Sequence, residues 1–514
     1  MNGNRIGIVL LLGLAAACGG TSPVSPPPAP PPPPPPPAPA SLRIVGGAGA
    51  TDTIGVTLAN PVVVEVKKEG GALATSELVR FRVQDLVLPA TYYPLCVSTT
   101  SPSPGCGNTE DTVRTDGNGQ ARAYVRFQYI AARAVLRVEV AALSLADSAS
   151  FLIAPGAAAR IRASPKDTAV LVGGTNTLVT AAYDRGGNIR SDPVDYAVVS
   201  GPVTVSNSGL VTGTAIGRGL VRARAAGLDT VVATSVVPTA TIAVQAWPVG
   251  VAQQTALVSM RTDGAQIQVL VTGPGLPDSP EAVNWPLWSP TDGTLAYSQG
   301  GQLKVLQPGG QPTVIGVGLN DVATSSPLGF GSPGASVYFT RLLGGGFSGW
   351  RIATDGSGLV QVTEPGASAP PFSGVETSPS PDPAGANVVY DSNVNDPIAL
   401  ILRTRSLGSG LVKSLGLTGR SPRWSPDGTR IAYLDNHFRL AVAASDGVNP
   451  TLLTEFVIAP GFGWSPDSRW IVAEAMTAEQ HLVLVDTQSG LNLPMYLKPP
   501  GALYATKPSW KAIP

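Results

Sequence analysis

The chain has 514 residues, with 34 Lys or Arg against 34 Asp or Glu and a formal net charge of zero at pH 7. This balance, without any basic block, argues against nucleic acid as a partner. No stretch beyond residue 17 shows sustained helical periodicity. Alternating apolar and polar runs separated by turn residues recur instead, and together with 59 Gly and 50 Pro they predict an all-β chain.

Residues 1–18 predict export. Arg5 precedes an apolar run at residues 6–14, which is too short for a membrane span and typical of a signal-peptide core. The segment ends Ala15-Ala16-Ala17-Cys18 and resembles a bacterial lipobox. The resemblance implies cleavage before Cys18 and lipid on its thiol and new amine, which would anchor the protein in a membrane. The alternative is an ordinary signal peptide with an incidental cysteine.

The residues after Cys18 indicate how the protein is held. Gly19 rather than Asp follows the cysteine, which by the Gram-negative sorting rule implies an outer-membrane lipoprotein, facing the periplasm or the cell surface. Residues 19–40 form a proline-rich linker with an octet at residues 30–37. A proline run adopts extended polyproline II and acts as a semi-rigid spacer. The alternative is a ligand for proline-reading domains.

Residues 41–154 predict the first folded domain. Residues 79–83, 122–127 and 135–140 alternate apolar and polar side chains, as strands with one buried face do. The order PVVVEVKKEGG, VRFRV, TDGNGQARAYV, AVLRVEV and ASFLI resembles the bacterial immunoglobulin-like domain of invasin and intimin adhesins, which implies an immunoglobulin-like β-sandwich. Residues 116–119 are similar to a calcium loop but lack its downstream Glu, so a turn is expected.

A long excursion at residues 86–111 carries Cys96 and Cys106. With Cys18 assigned to lipid, these two form an even pair in an exported chain, and they predict a disulfide. Closing so small a loop stabilises the fold by roughly 2.5–3 kcal/mol in the chain-entropy model. A metal site from two cysteines with no nearby His is not expected. The loop is a candidate contact surface.

Residues 155–238 predict a second folded domain. Val172-Gly173-Gly174-Thr175 precedes a strand, residues 184–188 form a Gly-containing turn, and Ser208-Gly209-Leu210-Val211-Thr212 follows. This order resembles the group-two bacterial immunoglobulin-like repeat. The resemblance implies a second immunoglobulin-like β-sandwich, of a type that mostly acts as a rigid spacer.

A repeat of blade size organises residues 239–514. Residues 421–454 predict four short strands and three turns, with Asp-Gly at two of the turns. Related segments recur at spacings of about 40–50 residues, a period typical of propellers. We name the position of the Trp in WSPDG the anchor position. Its occupants are Trp288, Phe330, Pro381, Trp424, Trp464 and Trp510.

The two ends of the repeat region are complementary. A second half of the repeat at Leu257 precedes the first anchor, and the anchor Trp510 follows the last second half. Joining the C-terminal strand to strands within residues 241–271 predicts six four-stranded blades in a ring, which removes free sheet edges. The alternative is a stacked solenoid of β units. The motifs resemble the WD-like propeller repeats of the TolB family of periplasmic proteins and of some prolyl-oligopeptidase-type peptidases.

The sequence offers little chemistry. His437 and His481 are the only histidines, and neither has a second His or Cys at ligand spacing, so no metal site is expected. There is no Gly-x-Ser-x-Gly elbow, P-loop or dinucleotide fingerprint. We therefore expect no enzyme and no cofactor. Five aspartates lie in the repeated turns, where we expect each to bond its own backbone: Asp263, Asp355, Asp427, Asp446 and Asp467.

These observations predict a non-catalytic, monomeric binding or scaffold lipoprotein of the cell envelope. Its propeller mouth or channel would contact protein or polysaccharide, through residues that the sequence does not identify. One alternative is a surface adhesin that binds through the immunoglobulin-like domains. Another is an enzyme at the propeller axis, which predicts clustered His, Arg or carboxylates on inner loops. Four non-anchor tryptophans are candidates for a binding site: Trp247, Trp285, Trp350 and Trp470.

Overall fold

The structure is a computed structural model. It describes residues 35–84, 93–100, 108–248, 254–276, 279, 281–316, 322, 328–331, 336–343, 346–364, 375–394, 399–478, 480–495 and 502–511. In this part of the chain the helical content is one 3-10 turn, Ala141–Leu143, and the other elements are strands, so the all-β prediction is confirmed. None of the described helical segments is long and apolar enough to cross a membrane. The chain divides into two compact units, Met1–Ala154 and Pro155–Pro514.

The first unit contains two sheets packed face to face. Strands β1 to β9 lie at Ser41–Gly46, Thr51–Thr53, Val62–Lys67, Leu78–Val83, Leu95–Ser98, Glu110–Arg114, Gln120–Phe127, Arg133–Val140 and Leu145–Ala154. One sheet has the order β1-β3-β7-β5 and the other has the order β2-β9-β8-β4-β6. All pairs are antiparallel except β2 with β9.

Alternation along the strands gives this unit its core. On β3 the side chains of Val62, Val64 and Val66 are fully buried, and the residues between them are half-buried. Successive side chains of a strand point to opposite faces, so one face of each sheet is apolar. Phe127 on β7 and Phe151 on β9 meet edge to face with ring centroids 5.9 Å apart, which joins the two sheets.

The second unit begins with a further set of strands around their own core. Strands β10 to β18 lie at Ala158–Ser164, Thr168–Leu171, Thr175–Thr177, Val179–Asp184, Val194–Ser200, Val203–Val205, Leu210–Gly213, Gly217–Ala225 and Leu228–Val237. They form sheets of order β10-β13, β11-β18-β17-β14 and β12-β16-β15. Buried residues such as Val211, Val221 and Val236 make up the core between these sheets.

Twenty-four further strands form six four-stranded antiparallel sheets in the described residues. Strands β19 to β42 lie at Thr241–Pro248, Gln254–Arg261, Gln268–Pro274, Asn284–Trp288, Leu295–Gln299, Gln302–Leu306, Thr313–Ile315, Gly329–Gly331, Ser336–Leu343, Gly346–Ala353, Val360–Gln361, Glu376–Pro381, Asn387–Ser392, Ile401–Ser406, Val412–Thr418, Arg420–Trp424, Arg430–Leu434, Leu440–Ala444, Thr451–Leu452, Ile458–Trp464, Trp470–Ala475, His481–Asp486, Asn492–Met495 and Ala502–Trp510. Five sheets are built from consecutive strands, β22 to β25, β26 to β29, β30 to β33, β34 to β37 and β38 to β41.

The remaining sheet joins both ends of this region, in the order β21-β20-β19-β42. Ile242 pairs with Trp510, and Ala246 pairs with Ala505. We name β22, β26, β30, β34, β38 and β42 the inner strands. Each inner strand contacts the next in this order, and β42 contacts β22, so the six sheets form a closed ring.

Turn chemistry connects the strands as the sequence predicts. Between β34 and β35, Gly428 adopts φ +73°, a left-handed conformation that Gly takes without steric cost. The carboxylate of Asp427 accepts hydrogen bonds from the Ser425 hydroxyl at 2.6 Å and from the Thr429 backbone N–H at 2.9 Å. The turn is therefore fixed by hydrogen bonds between residues two positions apart.

The β10–β18 sandwich packs directly on the ring. Ala169 on β11 and Val237 on β18 share one buried cluster with Trp470, Leu493 and Met495 of the sheet β38 to β41. Both β11 and β18 contact β41. Apolar burial stabilises at about 25 cal/mol per Å² removed from water, so a shared cluster holds the two parts together. The sandwich and the ring are thus one compact unit.

Candidate functional site

The inner strands share a local irregularity. The register shifts within β22, β30, β34, β38 and β42 in the few residues that precede the anchor position. Such a β-bulge re-aims side chains and often lies next to a site. In four inner strands the residue three before the anchor is a non-glycine with positive φ: Trp285, Ser378, Ser421 and Lys507. A proline follows each of them: Pro286, Pro379, Pro422 and Pro508.

A cavity of about 300 Å³ lies on the axis of the ring, because all six inner strands contribute to its lining. Five anchor residues form its aromatic wall: Trp288, Phe330, Trp424, Trp464 and Trp510. Prolines from three of the turns add to it: Pro290, Pro426 and Pro466. We name this space the axial cavity. Its volume is at the lower end of the range for small-molecule pockets.

Arg423 is the charged residue among the described residues that line the axial cavity. Its side chain is only 9% exposed, and one of its Nη atoms donates to the Leu328 carbonyl oxygen. Burial lowers the pKa of Arg423 to about 10, although the nearby Asp391 acts in the opposite direction. The guanidinium therefore remains charged at neutral pH.

The charge of Asp391 acts on Arg423, but the Asp391 carboxylate is hydrogen-bonded by other residues. Burial raises the pKa of Asp391, and hydrogen bonds from Thr377 and Ser421 lower it in part. The Ser421 backbone N–H donates to its Oδ2 at 2.7 Å, and the Thr377 hydroxyl donates to its Oδ1. Among the described residues, no carboxylate lies within ion-pair distance of Arg423.

A second cation lies beside the axial cavity. The Lys507 Nζ donates to the Asn284 Oδ1 at 2.8 Å and sits 4.8 Å from the centre of the Trp285 ring. Gln245 donates to the same Asn284 oxygen at 2.8 Å. Lys507, Trp285 and Arg423 line a narrow chamber that adjoins the cavity. Two cations, Arg423 and Lys507, thus line this chamber, although the chain as a whole has no net charge.

Another buried polar set lies on β30 to β32. Burial raises the pKa of Glu376 to about 7, and the nearby Thr363 hydroxyl and Arg403 guanidinium only partly offset this. Neither Glu376 carboxyl oxygen makes a well-formed hydrogen bond within the described residues, so the Thr363 contact is a weak one. Burial also raises the pKa of Tyr390. None of these residues lines the axial cavity.

The cysteine predictions lie mostly outside the described residues. Cys96 on β5 is fully buried, and the Gln128 Nε2 lies 3.2 Å from its sulfur. Its predicted partner Cys106 falls in residues 101–107, and Cys18 falls in residues 1–34, both outside the described ranges. The disulfide and the lipid attachment therefore remain predictions.

The turn aspartates bond their own backbone, as expected. The residue two positions after each donates its backbone N–H to the carboxylate, at distances from 2.8 to 3.2 Å. Asp116 does the same for Asn118 at 2.8 Å, which confirms a turn at that position. Groups of three or more His, Cys, Asp or Glu that could hold a metal are absent from the described part of the chain.

The four non-anchor tryptophans lie in different parts of the structure. Trp285 lies in the chamber on the axis, whereas Trp470 is buried in the cluster that joins sandwich and ring. The Trp350 indole donates to the Ser348 hydroxyl at 2.9 Å. The side chain of Trp247 lies outside the described set.

The sequence interpretation missed Arg423 and Lys507. Arg423 stands one position before an anchor, where other units carry Leu287, Gly329, Ser380, Gly463 and Ser509. The sequence did carry a signal for Arg423, because it is a charged residue at a repeat position where the other units have small or apolar residues.

No protein-family model matches the chain. A stretch of 131 residues is 33% identical to the uncharacterised protein Atu1656 of Agrobacterium fabrum, and the match covers 23% of this chain and 41% of that protein. The chain thus spans less than half the length of this relative.

Two solved structures show the level of structural similarity. TolB from Acinetobacter baumannii has 15% identity and a TM-score of 0.44, over 62% of this chain and 83% of that chain. The nidogen/laminin complex has 9% identity and a TM-score of 0.40, over 52% of this chain and 98% of that chain. Similarity at this level carries no functional conclusion, and the ring described above rests on the strand pairing of this chain.

Proposed function

We propose that this protein is an envelope-anchored, non-catalytic binding or scaffold lipoprotein that captures its partner at the axial cavity. Two immunoglobulin-like domains, residues 41–154 and 155–238, would carry a six-bladed, TolB-like β-propeller of residues 239–514. The observation that carries the proposal is the axial cavity, where aromatic side chains from five sheets surround the buried Arg423 guanidinium. Apolar pockets with a few placed polar groups are the usual form of a binding site.

The lining of the axial cavity supports binding rather than catalysis. General acid–base chemistry requires a titratable group with a pKa near the working pH within reach of the substrate. Among the described lining residues, Arg423 is the only ionisable one, and its pKa is about 10. A guanidinium at that pKa positions and neutralises an anion but does not exchange protons at neutral pH.

The anchor at Cys18 and the outer-membrane location are part of the same proposal. Fractionation tests them: the wild type is expected in the outer-membrane fraction, and Cys18→Ala is expected in the soluble fraction. A Cys18→Ala protein that still sediments with membranes would refute lipid anchoring. Proteinase added to intact cells separates the two orientations, because only a surface-facing ring would be digested before the outer membrane is broken.

Site-specific photo-crosslinking in cells tests where the partner binds. A crosslinking residue replaces Pro426 at the cavity rim, Leu411 on the outside of the ring or Tyr129 in the first unit, all three of which are exposed. The proposal expects a discrete crosslinked product from position 426 and none from position 411. A product from position 129 alone would favour the adhesin alternative.

A further inference from the structure

The axial cavity has both polar and charged groups in its lining. Two hydroxyls line the cavity, and both hold neighbouring strands together. The Ser380 Oγ accepts a hydrogen bond from the Trp424 backbone N–H at 3.2 Å, and the Ser509 Oγ accepts one from the Trp288 backbone N–H at 3.3 Å. The indole N–H groups of Trp288, Trp424 and Trp510 have no partner among the described residues, but these atoms are buried from water.

Arg423 is the charged group of the cavity. A guanidinium carries five N–H donors, and one of the Arg423 donors is taken by the Leu328 carbonyl oxygen. Its side chain is 9% exposed and has no ion-pair partner among the described residues. A buried charge without a partner is costly, so an anion that enters the cavity gains from filling this position.

The walls define the rest of the ligand. Aromatic and proline side chains surround the cavity, and they favour an apolar body by removing its surface from water. The lining, with Arg423 as its charged residue, therefore favours an anionic group on an apolar frame.

We propose that the axial cavity binds a carboxylate carried on an apolar body, with Arg423 receiving the carboxylate and the anchor aromatics enclosing the apolar part. A planar guanidinium accepts a carboxylate through two parallel N–H donors, which gives both affinity and orientation. This inference rests on the proposed binding function and names its ligand chemistry. The carboxylate could belong to a free small acid or to a peptide inserted into the cavity.

A matched pair of probes tests the charge requirement on the full-length protein. Isothermal titration compares 3-phenylpropanoate with its uncharged analogue 3-phenylpropanamide. We expect the acid to bind roughly tenfold more tightly or better, because a charge-assisted hydrogen bond is worth about that ratio. Equal binding of acid and amide would overturn the proposal, and this comparison needs no variant.

Variants then locate the contact. Arg423→Met should lose the preference for the acid, whereas Arg423→Lys should retain a reduced preference because it keeps charge without the planar fork. Arg439→Met is the matched control, since Arg439 pairs with Asp435 away from the cavity. Its acid preference should equal that of the wild type. An acid preference that persists in Arg423→Met would place the anion elsewhere and overturn the proposal.

Two further probes distinguish the source of the carboxylate. The peptide acetyl-Gly-Gly-Phe is compared with a free and with an amidated C-terminus. Tighter binding of the free-acid peptide than of 3-phenylpropanoate assigns the site to an inserted chain, and weaker binding assigns it to small acids. Acid binding without any crosslinked product at position 426 would support the ligand chemistry while rejecting a protein partner.

Discussion

The indole N–H of Trp464 donates a hydrogen bond of 3.1 Å to the backbone carbonyl oxygen of Arg423. The two residues belong to inner strands of neighbouring sheets, β38 and β34. The contact therefore joins adjacent sheets at the residue that supplies the charge of the axial cavity. An anchor aromatic thus both encloses the cavity and fixes the backbone that carries the guanidinium.

Trp464→Phe should be destabilising because it removes this hydrogen bond. Trp288→Phe is the matched control: Trp288 is 9% exposed against 8% for Trp464, and each ring has a cation about 5 Å from its centre. The Trp288 indole N–H has no partner among the described residues. We expect Trp464→Phe to lower the free energy of unfolding by about 1–2 kcal/mol more than Trp288→Phe, measured by urea denaturation. Equal losses would contradict this account.

Trp510→Ala should weaken ring closure. Trp510 is buried and pairs with Ile242 on the strand that begins the ring. Removing a buried aromatic typically lowers the free energy of unfolding by about 3–5 kcal/mol, from lost burial and the resulting cavity. Leu411→Ala, at an exposed position, should change it by less than about 0.5 kcal/mol. The two variants are compared by denaturant unfolding, and a Trp510→Ala loss as small as that control would show that closure contributes little.

Glu376→Gln should stabilise the protein at alkaline pH only. The pKa of Glu376 is raised by burial to about 7 in the folded state, from an ordinary value of 4.5. The folded state thus holds this proton more tightly than the unfolded state does. The stability that the protonated carboxyl contributes is fully present below pH 4.5 and is lost as the pH rises through 7. Gln does not ionise, so the variant should match the wild type at pH 4.5 and exceed it at pH 8 by on the order of 3 kcal/mol.

Urea denaturation at pH 4.5 and pH 8 measures this difference. Glu455→Gln is the control, because the Glu455 side chain is exposed at the rim of its sheet. Its difference from the wild type should stay nearly constant between the two pH values. A Glu376→Gln difference that is equally constant would show that the carboxyl is not buried in the folded protein.

Ala169→Glu should uncouple the second sandwich from the ring. Ala169 lies in the cluster shared with Trp470 and Met495, and a buried charge there costs several kcal/mol. Calorimetry of the wild type should show one transition for Pro155–Pro514, and the variant should show two. Val172→Glu, three positions along at an exposed residue, should leave the single transition intact. An unchanged trace for Ala169→Glu would contradict the shared core.

Local signals carried the correct part of the sequence interpretation. The Asp-Gly turn at residues 427–428 and the recurring anchors act over a few residues, so the sequence shows them directly. The bulges could not be predicted in the same way, because Trp285, Ser378, Ser421 and Lys507 share no side-chain property. A proline follows each of them, but a residue before proline is usually extended, so this shared feature does not predict a positive φ.

Long-range packing explains why the second sandwich and the ring share a core although the sequence divides them at residue 239. The repeat begins near residue 239, and this is where the sequence changes type. The buried cluster nevertheless crosses that point, since Val237 and Ile242 belong to it together with Leu493. A boundary of repeat type is therefore not a boundary of the core. The cavity cation Arg423 was missed for a similar reason, because its surroundings come from all six inner strands.

Ring closure also dictates an order of assembly. Gln245 and Thr506 hydrogen-bond across 261 residues of chain, so β19 is synthesised long before the strand that completes its sheet. Until then one edge of β19 is unpaired, and an unpaired edge is a template for any matching strand. Two molecules that emerge close together could each donate β42 to the other. The characteristic misassembly product of this protein would then be a domain-swapped dimer, whose share rises with concentration.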